Sequence, residues 1–171
     1  MLTANVLETI NYDGENLEKL QRALMLMETT LNSEEFKAKV LEFDSFVYRR
    51  FICIKVFRTS VKFKTIMPKE HEAYTNEKLL DHLLRGRRKL GEKTYMDLRL
   101  KLGRGEGVGS TDMFTKLITT NEWAFKTKTE AHIAGHIARE YLQTLGFKHT
   151  HSRCDDKRDC YSIPYAIGNL V

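Results

Sequence analysis

The sequence predicts an α+β fold, and three patterns predict it. Two segments space their apolar residues by three and four, as an amphipathic helix does. One segment alternates apolar with charged residues, as a half-buried strand does. A run rich in β-branched and aromatic residues lies between the helical patterns and reads as further strand. With 171 residues, 42% of them apolar, the chain has the size of one domain with its own core. The expected organisation is a single domain over 1–171: an acidic helical part over 1–45, a basic β-rich part with one helix over 46–125, and a C-terminal helix and segment over 126–171.

The elements follow in order. Leu17, Leu20, Leu24, Met27 and Leu31 form one stripe of a helix over 16–31, with Asp13 or Asn16 as its cap. Ser33 opens a second short helix with Phe36, Val40 and Leu41 inward. Residues 47–57 and 61–66 read as two strands, and Pro68 ends that unit. Thr75 precedes a helix carrying Leu79, Leu80, Leu83 and Leu84, which closes in the basic knot Arg85-Gly86-Arg87-Arg88-Lys89, where cations suit the helix dipole. Met96, Leu98, Leu100 and Leu102 alternate with Asp97, Arg99 and Lys101 in a strand. The glycine-rich stretch Gly103-Arg104-Gly105-Glu106-Gly107-Val108-Gly109 lacks the spacing of a dinucleotide fingerprint and reads as an adaptable loop. Residues 111–125 read as irregular or short strand. Thr129 then caps a long helix with Ala134, Ile137, Ala138, Tyr141, Leu142 and Leu145 apolar and Gly146 at its stop.

Charge is distributed unevenly. The net charge of +5 combines an acidic first part, four Lys/Arg against nine Asp/Glu over 1–48, with a basic remainder of twenty-four against fourteen. Arg49, Arg50, Lys55, Arg58, Lys62, Lys64 and Lys69 share a stretch without a single acid. The first six of these, together with Arg85, Arg87, Arg88, Lys89, Arg99, Lys101 and Arg104, are the candidate polyanion-binding residues, facing nucleic acid or an acidic protein surface. No apolar stretch reaches the length of a membrane span, and the N-terminus lacks the basic-then-apolar pattern of a secretory signal, so the expectation is a cytoplasmic protein without a membrane partner. Three cysteines do not make a disulfide framework.

The segment Arg139-Glu140-Tyr141-Leu142-Gln143-Thr144-Leu145-Gly146-Phe147-Lys148-His149 carries a metal-site pattern with two changes. In the HExxHxxGxxH arrangement two His one turn apart bind zinc, the Glu between them is the general base, and a glycine turns the chain so that a third His reaches the ion. Glu140, Gly146 and His149 fit that register. Arg139 and Gln143 stand where the two helical ligands belong, and neither replaces an imidazole: arginine is a permanent cation and glutamine a weak amide donor.

Gly135-His136-Ile137-Ala138-Arg139-Glu140-Tyr141-Leu142, Leu145-Gly146-Phe147 and Ser162-Ile163-Pro164-Tyr165-Ala166-Ile167-Gly168 resemble a small metzincin-like zinc metallopeptidase family of bacteria and phages, in degenerate form. Its relatives carry GxIAHEYxHxLGFxH and a terminal segment similar to SVPYAIG. Leu31-Asn32-Ser33-Glu34-Glu35-Phe36-Lys37, Tyr95-Met96-Asp97-Leu98 and Val108-Gly109-Ser110-Thr111 also resemble it. The resemblance implies a metzincin-like fold, with N-terminal helices and a small twisted mixed sheet packed on a long degenerate active-site helix. It does not imply peptidase activity, because the departures fall on the metal-holding positions. The expectation is therefore no catalytic residue and no cofactor.

Two other ligand sets remain open. His136, Glu140 and His149 offer a displaced metal site, against which the alternative is polar surface histidines, and His149, His151, Cys154 and Cys160 offer a closed structural zinc site. Three functions follow. A non-catalytic pseudo-metallopeptidase binds an anionic protein or ribonucleoprotein, for example as a phage inhibitor of a host RNA-guided (CRISPR-Cas) nuclease. A remodelled zinc site keeps peptidase activity. A stand-alone nucleic-acid-binding protein uses the basic strands, with Tyr48, Phe51, Phe57 or Phe63 for base stacking.

Overall fold

A computed structural model describes residues 1–42, 75–147 and 163–171. The strands predicted over 47–57 and 61–66 lie outside the described residues. The architecture is α+β: one mixed sheet carries helices on the face to which its apolar side chains point.

The centre of the sheet is β3 (Lys93–Gly103), the strand whose alternation is clearest in the sequence. Met96, Leu98, Leu100 and Leu102 are all buried, because successive side chains of a strand point to opposite faces. β1 (Leu2–Ile10) pairs parallel along one edge of β3. The short β2 (Arg88–Leu90) pairs antiparallel with the first half of the other edge, and β5 (Leu117–Asn121) pairs parallel with the last part. β4 (Gly109–Thr111) lies antiparallel on β5.

The strand β1 corrects the expectation of a wholly helical N-terminal part. Its residues do not alternate cleanly, and a register shift between Val6 and Glu8 leaves Leu7 exposed; a broken period hides a strand from pattern reading. Three of its backbone polar groups are held by a helix rather than by a strand. Asn32 accepts from the Leu2 amide at 2.8 Å and donates to the Leu2 carbonyl at 2.7 Å, while Glu28 accepts from the Ala4 amide at 2.9 Å.

Both residues belong to α1 (Gly14–Asn32), which buries Leu20, Ala23, Leu24, Met27 and Leu31 as its spacing predicts. Asp13 is its N-cap, without a side-chain hydrogen bond. α2 (Glu34–Glu42) buries Phe36 and Val40, whereas Leu41, expected inward, is exposed. α3 (Asn76–Arg85) starts at Thr75, whose hydroxyl accepts from the Lys78 amide. It stops before Gly86, where φ is +61° and a side chain would meet the Tyr95 carbonyl. Beyond that glycine the basic knot becomes strand β2 instead of a last helical turn.

Residues 111–125, read as irregular or short strand, hold β5 and α4 (Glu122–Thr127). The adaptable loop before them is tied down: Asn121 donates to the Glu106 and Gly107 carbonyls, and the Trp123 indole donates to the Gly107 carbonyl at 2.8 Å. Asn121 caps α4 in sequence yet spends its amide on the loop.

α5 (Glu130–Thr144) packs between α1, β4 and α6 (Ile163–Leu170). Thr129 caps it through the His132 amide. At its end Phe147 N–H reaches the Leu142 carbonyl and Gly146 N–H the Gln143 carbonyl, with Gly146 at φ +105°. That pair of bonds is a Schellman stop, closed by the apolar pair Leu142 and Phe147. α6 lies against α5 with no side chain between backbones at one point. A Cβ on Gly135 would stand 2.3 Å from the Gly168 carbonyl oxygen, and one on Gly168 2.7 Å from that of Gly135.

Candidate functional site: a buried arginine centre

Positions 136, 139, 140 and 143 recur at three- and four-residue spacing, so α5 presents them on one face. The fold turns that face toward β4 and α6, burying His136 and Glu140 and half-burying Arg139 and Gln143. His136 is 4% and Glu140 3% exposed. The expectation of surface histidines therefore holds for His132, which is exposed, and fails for His136. Burial follows from Gly109 of β4: a Cβ there would sit 2.6 Å from His136 Nε2, so only glycine admits the ring.

Arg139 organises the centre. Its Nε donates to Glu140 Oε1 at 3.3 Å and its Nη2 to His136 Nδ1 at 3.0 Å. A guanidinium can only donate, so Nδ1 accepts, and the neutral ring carries its hydrogen on Nε2. Burial first, and the Arg139 cation second, press the His136 pKa from 6.5 down to about 3. The Thr119 carbonyl opposes this shift, although among the described residues Nε2 makes no hydrogen bond of good geometry to it or to any other acceptor. The other oxygen of Glu140 accepts from Thr111 Oγ1 at 2.7 Å and from Gln143 Nε2 at 2.6 Å. Above the guanidinium lies the Tyr165 ring of α6, 4.7 Å from its carbon to the ring centre, a cation–π arrangement.

A zinc ion does not fit these residues. It requires lone pairs from a neutral imidazole and a carboxylate. Here the Nδ1 lone pair is spent on Arg139, Nε2 bears the hydrogen, and both oxygens of Glu140 accept hydrogen bonds. A permanent cation stands within hydrogen-bond distance of both groups and would repel a dication. Among the described residues no three His, Cys, Asp or Glu converge on a common point. His149, the third member of the displaced set, lies outside the described residues, and so do His151, Cys154 and Cys160.

The candidate polyanion residues divide in the same way. Arg49, Arg50, Lys55, Arg58, Lys62 and Lys64 lie outside the described residues. Of the others, Arg85 pairs with Asp81, Arg88 with Asp97 at 3.4 Å, Arg99 with Glu8 at 2.6 Å and Arg104 with Glu122 at 3.5 Å. Arg87 donates to the Thr144 carbonyl, an acceptor that the end of α5 leaves over. Lys89 on β2 is exposed and Lys101 on β3 is half-buried. Neighbouring carboxylates thus cut the field that the sequence alone attributes to Arg85 through Arg104.

Thr111 belongs to the centre but has no signature in the sequence, because its contact with Glu140 spans 29 residues. Tyr165 and Gly109 fall within the segments that carry the family resemblance, though nothing in their spacing says what they touch. Set against protein-family models, curated proteins and solved structures, the chain finds no match.

Proposed function

We propose that this chain is a non-catalytic pseudo-metallopeptidase of metzincin-like descent, retained as a scaffold that binds an anionic macromolecular partner. The observation that carries the proposal is the guanidinium of Arg139 bonded to His136 and Glu140 at once. A peptidase of this type needs a metal-activated water and a carboxylate free to take its proton. In this chain the carboxylate of Glu140 is filled by Arg139, Thr111 and Gln143. Those contacts bind the old catalytic positions together as a structural unit. A remodelled peptidase using His136, Glu140 and His149 would first have to expel the guanidinium.

In its specific form the proposal is a phage-type inhibitor of a host RNA-guided nuclease, with basic residues facing the nucleoprotein. The test has two stages. Mass spectrometry of the purified chain, alongside a Cys154→Ser/Cys160→Ser variant, is expected to show no metal that survives the cysteine changes, and chelator is expected to leave no proteolysis to abolish. One equivalent of zinc held by the variant, with chelator-sensitive cleavage, overturns the pseudoenzyme. Capture from host lysate, with and without ribonuclease, is then expected to yield a nucleoprotein in a salt-sensitive manner that weakens in an Arg85→Glu/Arg88→Glu variant. Capture unaffected by salt and by charge reversal sinks the electrostatic form.

A further inference from the structure

Beside the arginine centre is an open cleft of 380 Å³, lined among others by Val108, Lys128, His132, Arg139, Tyr165 and Gly168. That volume lies within the range of small-ligand sites. We propose that this cleft is a subsite for a carboxylate, the side chain of a Glu or Asp presented by a protein partner. The inference rests on the pseudoenzyme reading, since it takes Arg139 as a fixture of the folded chain.

Three observations converge on it. First, Arg139 has five N–H donors in a planar fork, of which Nε and one hydrogen of Nη2 are committed to Glu140 and His136. The internal network uses neither hydrogen of Nη1, the side chain keeps 18% of its surface open, and Arg139 lines the cleft. A carboxylate matches a guanidinium edge with two parallel bonds.

Second, Arg139 cannot turn away. Glu140 and His136 hold one edge and Tyr165 covers a face, so the donors are fixed before a ligand arrives, which lowers the entropic cost of binding. Third, Lys128 and His132 border the same cleft, and among the described residues no ion pair joins either of them to a carboxylate. His132 Nδ1 is engaged with Thr129 Oγ1 at 2.8 Å, so Nε2 is the ring nitrogen outside that contact.

A carboxylate fits better than a nucleic-acid backbone. A phosphate chain is held by a run of cations along its length, whereas this cleft offers one planar fork already fixed by its neighbours, that of Arg139, which a single carboxylate matches. The arginines of β2 and β3 are paired with acids.

The experiment titrates the isotopically labelled full chain with N-acetylglutamate and follows its amide resonances. N-acetylglutamine, inorganic phosphate and a short single-stranded RNA serve as parallel probes. N-acetylglutamate is expected to shift Gly168, Tyr165 and Arg139, with N-acetylglutamine silent. A Lys128→Ala/His132→Ala variant keeps the buried network and is expected to bind at least about tenfold more weakly, as charge-assisted bonds are lost. An Arg139→Gln/Glu140→Gln variant, which leaves no unpaired charge behind, is expected to abolish the shifts. Equal response to the glutamine probe, no response at all, or a response to phosphate or RNA alone overturns the carboxylate subsite. A metal-free, inactive chain that ignores N-acetylglutamate would sink this inference and leave the pseudoenzyme standing.

Discussion

Arg139 on α5 and the arginines on and just after the sheet strands, Arg88, Arg99 and Arg104, carry the same side chain into opposite surroundings. Arg139 is 18% exposed against a Glu140 side chain that is 4% exposed, while Arg104 is 90% exposed opposite Glu122. Buried, the charge must be answered, because an unpaired ion in a low-dielectric interior is costly. On the surface, water answers it, and the pairing adds little. The comparison teaches that a count of basic residues does not locate function: one guanidinium in the right enclosure shapes a site more than several on an edge.

Four changes test that difference, from the largest effect downward. Arg139→Met leaves Glu140 buried without its cation and is expected to cost about 3–5 kcal/mol in denaturant unfolding. Arg139→Met/Glu140→Met is expected to cost less than the single change, and a double variant no more stable than the single one breaks the idea of a mutually dependent pair. Gly135→Ala puts a methyl into the Gly168 carbonyl, so α6 must move, at a cost of about 2–3 kcal/mol. A Tm equal to that of the parent chain would show that the α5–α6 crossing is looser than its geometry.

The third change is in pH. His136 has a folded pKa of about 3 against an ordinary 6.5, so the unfolded chain binds the extra proton and the native state does not. Stability from this group is complete above 6.5 and is lost as pH falls toward 3. The loss is about 1.4 kcal/mol per pH unit, or about 2 kcal/mol between pH 6.5 and about 5. Burial of His82 lowers its pKa too and adds in the same direction. Subtracting the profile of His136→Gln from that of the parent isolates the His136 part, and identical profiles would remove the buried neutral ring. The smallest effect is expected for Arg99→Ala and Arg104→Ala, each below about 1 kcal/mol by the same unfolding measurement. A loss as large as that of Arg139→Met would erase the contrast between surface and centre.

Much of the architecture was legible in the chain. The alternation of Met96 through Leu102 found the central strand, and the spacing of Leu20 through Leu31 found the face of α1, since these periods are direct consequences of strand and helix geometry. Thr129 and Gly146 marked both ends of α5 through capping chemistry. Strand β1 was missed because its period is broken at Leu7, and α6 because Ile163–Leu170 is only eight residues long and contains Pro164 and Gly168, the two residue types least favourable to a helix. At the candidate site, the HExxHxxGxxH register singled out Arg139, Glu140 and Gln143 and the displaced ligand set singled out His136, while the bonds from Arg139 to both His136 and Glu140 appear only in the folded chain.

Spacing along one helix is a local property, so the sequence by itself determined that those four side chains lie together and that two of them are poor zinc ligands. Whether their face meets water or protein is set by other segments. Only the tertiary structure decided that Gly109 and Thr111 of β4 and Tyr165 of α6 close over it. That enclosure turns His136 from a surface histidine into a buried neutral acceptor, Glu140 into a filled carboxylate, and Arg139 into the cation that holds both. These contacts join residues up to 29 positions apart, and no periodicity records them.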